Sequence, residues 1–221
     1  MIGRPRLHLR ETTSTNTRAR ELAAAGAPHG TLVTAGVQTA GRGRQGRTWV
    51  APVGSSLLLS LVLRDTDLLL PLRAGLAVAD LAGPDALVKW PNDVLLGGRK
   101  VAGVLVEARP QEGWAVLGIG VNAALDVADL PLELHETAGT LGRADLEGAL
   151  TELLEHLERR LAEPPEATLS ALNARDALLE RPIAWVGGEG TGAGIDEHGS
   201  LRVLLGGGRE AVLDAGEVHL R

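Results

Sequence analysis

An α+β fold is predicted by three features of the 221-residue sequence: an antiparallel meander at its centre, helices around it and a small β-barrel module behind. Apolar runs of strand length are interspersed with amphipathic stretches of helical spacing. Gly97-Gly98 lies between two apolar runs and Gln111 to Gly113 forms a second break, which predicts consecutive hairpins. From Arg181 the texture changes to short strands separated by glycine turns.

In order, Glu11 to Asn16 is rich in Thr, Ser and Asn and leads into a helix over 15–25, stopped at Gly26. Thr31 to Val37 reads as a strand, and Gly41 to Arg47 as a glycine-arginine loop. Ser55 to Leu63 is apolar without alternation, as expected of a strand covered on both faces. Pro71 to Ala82 has helical spacing behind an initial proline. Leu87 to Trp90 is a short strand ended by Pro91. A two-residue Gly97-Gly98 loop pairs Leu96 with Arg99, Leu95 with Lys100, Val94 with Val101 and Asp93 with Ala102. Asp93 and Lys100 then share a face as diagonal neighbours, roughly 7 to 8 Å apart at the backbone. Strands follow over 101–107 and 114–122, then a helix over 145–162 with Leu146, Leu150, Leu153, Leu157 and Leu161 on one stripe and Asp145 as cap. Pro164-Pro165 breaks it, and 166–179 restarts as a helix. Short strands over 183–186, 192–195, 201–205, 210–213 and 218–220 form the module, so a body of 1–178 is followed by a module of 179–221.

Cysteine is absent, which removes disulfides and thiolate metal sites, and the six histidines are scattered without ligand spacing. No apolar run approaches the roughly 18 residues of a membrane span. A net charge of −6 argues against a broad nucleic-acid surface. Against that background Gly41 to Arg47 is a positive island.

Rarity points to the chemistry. The chain has two lysines, Lys89 and Lys100, against twenty arginines, so each marks a place where a compact ammonium does what a guanidinium cannot. Asn92 and Asn122 are two of only four asparagines. The arginine loop is either a surface loop or an arm that closes over an anion; it lacks the ending of a P-loop. Trp49 either stacks on a planar ring or fills the core. Ser14-Thr15-Asn16 is either a helix cap or, with Gln38, a set of neutral groups that reads an uncharged polar head. Gly118 and Gly120 inside a strand are either a bulge or the floor under a flat ligand.

Taken together, Ser14 to Asn16, Gln38 with Gly41 to Arg47 and Trp49, Lys89 to Asp93, Arg99 to Gly103 with Val104 to Glu107, and Gly118 to Asn122 resemble the motif series of biotin protein ligases, in order and spacing over 12–122. Gly216 to Arg221 resembles the end of that family's SH3-like module. The resemblance implies a class II synthetase-like catalytic domain with a central mixed, largely antiparallel sheet flanked by helices, plus a C-terminal SH3-like barrel. It implies activation of biotin by ATP to biotinyl-5′-AMP, then transfer to a lysine of a biotin carboxyl carrier domain of a carboxylase such as acetyl-CoA carboxylase. Lys100, Arg42 and Arg44 would be catalytic. Ser14, Thr15, Asn16, Gln38, Gly41, Arg42, Lys100, Gly103, Gly118 and Gly120 would bind biotin. Arg44, Arg47, Trp49, Asn92, Asp93, Lys100, Asn122 and Arg221 would bind the nucleotide. Magnesium would enter with ATP, near Asp93, with no protein cluster to hold it and no permanently bound cofactor. The arginine loop is expected to order only with ligand, given its three glycines. Longer family members carry an N-terminal winged helix-turn-helix; here the motifs begin at residue 12, so a cytoplasmic ligase without DNA or membrane partner is expected, with a homodimer left open. Two rivals are a lipoate ligase of the same fold and a non-catalytic biotin sensor.

Overall fold

The computed structural model describes residues 1–64 and 67–221. Strand β1 (Arg6–Thr12) leads into α1 (Thr15–Ala24), and the chain returns through β2 (Leu32–Gln38) parallel to β1. β3 (Ser56–Leu63) is buried along its whole length. α2 (Leu70–Ala82) starts with Pro71 in its first turn, where the missing N–H costs nothing. β4 (Leu87–Lys89), β5 (Asp93–Leu96), β6 (Arg99–Arg109) and β7 (Trp114–Asn122) form the expected meander, and α3 (Leu146–Ala162) and α4 (Pro165–Ala174) follow. These strands make one seven-stranded sheet in the order β1-β2-β3-β7-β6-β5-β4, antiparallel except for β1 with β2. A second sheet, in the order β11-β10-β9-β8-β12, is built from β8 (Pro182–Trp185), β9 (Gly188–Ile195), β10 (Leu201–Leu204), β11 (Glu210–Leu213) and β12 (Val218–Leu220). Among the described residues no helix is long and apolar enough to cross a membrane.

Alternation along β3 divides the molecule. Leu57, Leu59, Leu61 and Leu63 join α2, α3 and the module in the main core, while Val62 faces the smaller cluster with Ala19 and Ala23 of α1. With about 25 cal/mol per Å² of apolar surface removed from water, this double burial is what selects an apolar run broken only by Ser60 between Leu57 and Leu63. The Asp145 carboxylate accepts from Gly148 N at 2.9 Å and caps α3 as its position predicts.

Three expectations need correction. β1 was not anticipated: the alternation of Leu7 and Leu9 is short and its neighbours are charged. The helix expected over 166–179 ends at Ala174, because Val88 N donates to Arg175 O at 2.8 Å and Ala177 N to Val88 O at 3.0 Å, drawing the chain onto the edge of β4. In the Gly97-Gly98 hairpin both glycines take left-handed φ, 57° and 77°, and the pairs Leu96 with Arg99 and Leu95 with Lys100 form. Beyond them a bulge moves Val94 opposite Ala102 and Asp93 opposite Gly103. It sends Val101 and Ala102 both into the core and turns Gly103 to the face that carries Lys100.

Candidate active site

That face of the sheet holds a cleft of about 520 Å³. One continuous row crosses it: Lys89 of β4 pairs with Asp93, Asp93 with Gly103, Gly103 with Gly120 and Gly120 with Leu58. A parallel row joins Leu105, Gly118 and Ser60. The glycines of both rows make space, and the protein itself fills much of it. A Cβ on Gly118 would stand 2.0 Å from Asn16 Oδ1, and one on Gly120 would stand 2.5 Å from Trp49 Cε2. The floor is therefore not bare, as the glycine spacing alone suggests, but tiled by Asn16 and Trp49.

At the end nearest α1 the polar groups are neutral and interlocked. Ser14 occupies the N-cap position of α1 without making a side-chain cap bond, so capping is not its use. Gln38 Oε1 accepts from Thr15 N at 2.7 Å and from Thr15 Oγ1 at 3.1 Å. Ser60 Oγ lies 2.8 Å from Thr15 Oγ1 and 2.6 Å from Asn16 Oδ1. Ser14, Thr15, Asn16 and Gln38 all line the cleft here, and Arg42, paired with Glu107, is the charged group beside them.

Cations gather at the other end. Lys100 Nζ lies 2.7 Å from Asp93 Oδ1 and 5.7 Å from the centroid of the Trp49 ring. The contact with Asp93 is an ion pair outside hydrogen-bond alignment, so that buried oxygen keeps unused acceptor capacity; Trp49 Nε1 is also buried without a partner. Burial holds the Lys89 ammonium below its ordinary pKa, against the opposing pull of Asp93 and with help from Lys100 and Arg47. Burial likewise lowers Arg44, opposed by Asp93. Cations pressed together where solvation is poor are arranged to receive an anion.

The loop carrying three arginines is pinched at its base. Trp49 N donates to Gly41 O at 3.0 Å, and a Cβ on Gly41 would come within 2.5 Å of Trp49 O. Gly41 thus shapes the loop from beneath and lines a second cavity under it, not the cleft. Each arginine has its own anchor. Arg42 donates to Glu107 at 2.8 Å, Arg44 to Asn92 Oδ1 at 3.2 Å and Gly216 O at 3.4 Å, and Arg47 pairs with Glu217. The loop therefore bridges the sheet face and the C-terminal module.

Two expected contributors are otherwise engaged. Arg221 lies outside the cleft lining and pairs with Glu189. Asn122 reaches the lining, but its amide donates to Gly139 O at 3.0 Å and Lys100 O at 3.4 Å, binding the segment beyond it to the hairpin. That segment, with Leu130, Leu134 and Thr137 on the cleft wall, carries no periodicity a sequence reading could find. Ser60 was equally hidden inside a leucine run. Among the described residues no three His, Asp or Glu side chains are placed to hold a metal ion.

A family model described as the biotin/lipoate A/B protein ligase family matches residues 9–123. The chain is 37% identical to a biotin–acetyl-CoA-carboxylase ligase of Mycobacterium tuberculosis, over 96% of this chain and 87% of that one. It is 36% identical to the bifunctional ligase/repressor BirA of Bacillus spizizenii, over 72% of this chain, and spans about half (54%) of that protein's length. The structure superposes on a biotin protein ligase from Aquifex aeolicus in complex with biotin and ATP with a TM-score of 0.85, at 28% identity and covering 99% of each chain.

Proposed function

The chain belongs to the biotin/lipoate A/B protein ligase family, and from that premise we propose that it activates biotin with MgATP and passes it to a lysine of a biotin carboxyl carrier domain. The observation that carries this reading is the polarity of one cleft: neutral donors and acceptors beside an Arg42 offset by Glu107 at the α1 end, and Lys89, Lys100 and Arg44 around Asp93 at the other. A bicyclic urea with an anionic tail fits that gradient. Ser14, Thr15, Gln38 and Arg42 address the ureido ring, and the valerate carboxylate points to Lys100.

Joining that carboxylate to the α-phosphate brings two anions together, and the barrier falls where fixed cations neutralise both. Lys100 is suited to bridge them because an ammonium is a point charge with three freely turned donors, whereas a guanidinium fork matches one anion. The oxygen attacks phosphorus, pyrophosphate leaves, and the mixed anhydride remains. Arg44 and Arg47 reach the nucleotide from the loop, Trp49 offers a ring face to adenine, and Asn92 holds the loop to the wall. Asp93, with its free acceptor capacity, suits a magnesium ion carried in by the phosphates. In the second step the acceptor amine attacks the acyl carbon and AMP departs. Water would compete, which gives the loop its task of covering the anhydride.

Intact-mass measurement of a carrier domain incubated with the protein and MgATP decides the reading. A gain of one biotin with biotin, and no lipoyl adduct with lipoate, is expected; the reverse pattern identifies a lipoate ligase, and no adduct in either arm overturns ligation. Hydrogen exchange across 41–47, slower with biotin than without, checks the covering role of the loop.

A further inference from the structure

Glu107 does not line the cleft, yet its carboxylate touches two residues that do. It stands on β6 opposite Val116, on the same face as Leu105 and Gly103, with a quarter (26%) of its side chain exposed. Oε2 accepts from Asn16 Nδ2 at 2.9 Å and from Arg42 Nη2 at 2.8 Å, while Oε1 accepts from Arg20 Nη1 at 3.3 Å. The orientation of Asn16 is set from the other side, since the Ser60 hydroxyl donates to its Oδ1 at 2.6 Å and leaves Nδ2 for Glu107. One oxygen atom therefore ties a fixed tile of the floor to the first arginine of the loop.

We propose that Glu107 is a positioning residue for biotin: it holds Arg42 against the α1 end of the cleft before the ligand arrives. The inference rests on the biotin-ligase reading above. Both bonds to Oε2 are made to a charged acceptor, the stronger kind. The carboxylate also offsets the Arg42 charge, so that what the guanidinium presents to the cleft is a set of N–H donors suited to an uncharged urea oxygen. The other two loop arginines are anchored elsewhere, on Asn92, Gly216 and Glu217, so of the loop arginines only Arg42 is freed by removal of Glu107, while Asn16 keeps its bond from Ser60.

The test is steady-state kinetics of biotin-dependent pyrophosphate release. Glu107→Gln is expected to raise KM for biotin by about tenfold to a hundredfold, with kcat and KM for ATP changed by less than about threefold. The double variant Glu107→Gln/Arg42→Ala should bind biotin no worse than Arg42→Ala, because the carboxylate acts through the guanidinium. A wild-type KM for biotin in Glu107→Gln overturns the proposal. So does a fall in kcat at constant KM, the mark of a merely structural role, and so does full additivity in the double variant. Should Glu107→Gln not fold, Glu107→Asp carries the test: the shortened carboxylate cannot span both partners, and an unchanged KM for biotin is again fatal. Absence of biotin-dependent pyrophosphate release from the wild-type protein would bring down the functional reading itself, and the proposal with it.

Discussion

Lys100→Arg keeps the charge and is still expected to fail. The ammonium fits between Asp93 Oδ1, the Trp49 ring and the space left by Gly103, whose absent Cβ would lie 3.3 Å from Lys100 Cε and 3.4 Å from Nζ. A planar guanidinium is wider and donates in a fixed fork, so it cannot turn between two anions in that space. The variant should fold with a near-normal melting temperature and lose on the order of a hundredfold in kcat for pyrophosphate release. A kcat within a few-fold of wild type would remove Lys100 from its assigned role. Scarcity made this residue legible, because only two lysines compete for attention. Glu107 and Ser60 had no such signal: glutamate is abundant in this chain, and a serine among leucines reads as a strand residue. Asn16 was legible as a candidate site residue but not in its manner of acting, since its fit over Gly118, 102 residues further on, depends on α1 and β7 packing face to face.

At the scale of elements, the glycines of β7 are permissive for the seating of α1. Gly118→Ala puts a Cβ 2.0 Å from Asn16 Oδ1, and neither the strand nor the helix can yield without breaking the Ser60 and Glu107 bonds to that amide. A loss of about 1–3 kcal/mol is expected from the overpacking, read as a lower denaturant midpoint, together with weaker retention of biotin. An unshifted midpoint would mean that α1 floats freely on the sheet. The meander was legible because its turns announce themselves and its strands are apolar. The bulge after Leu95 was not, since an extra residue alters no composition and shows only once Val101 and Ala102 both need core positions. The early end of α4 was illegible for a similar reason: its residues suit a helix, and the edge of β4 competes for them.

Across the whole molecule, Asp80 of α2 gathers α3 and the end of α4. It accepts from Arg160 and Arg159 and pairs with Arg175, with 9% of its side chain exposed. Burial pushes its carboxyl up, but Arg160 foremost, then Arg159 and Arg175, bring it below its ordinary value of 3.8. A carboxyl depressed in the folded state adds stability that is present above its unfolded pKa and lost as pH falls through the folded one. Asp80→Asn should therefore cost about 2 kcal/mol at neutral pH, less than a fully buried pair because Arg159 is half exposed, and the gap from wild type should close on acidification below about pH 4. A gap that does not narrow on acidification below about pH 4 would show that packing, not charge, is lost. The second sheet was legible as a set of strands, since the texture of the sequence changes shortly before its first strand at Pro182. The network around Asp80 was not, because it joins residues from three separate helical segments whose charges read singly as solvated surface.

The two ends of the cleft are closed across very different lengths of chain. Thr15 and Gln38, at one end of the cleft, are 23 residues apart, whereas Arg44 and Gly216, at the other, are 172 apart. Closing the longer span costs more chain entropy and can happen only after nearly all of the polypeptide exists. During synthesis the residues of the neutral end have all emerged when little more than half the chain is made, while the cationic end waits for the last strands. A molecule loosened at its C-terminal strands is therefore expected to lose the cationic end of the cleft before the neutral one.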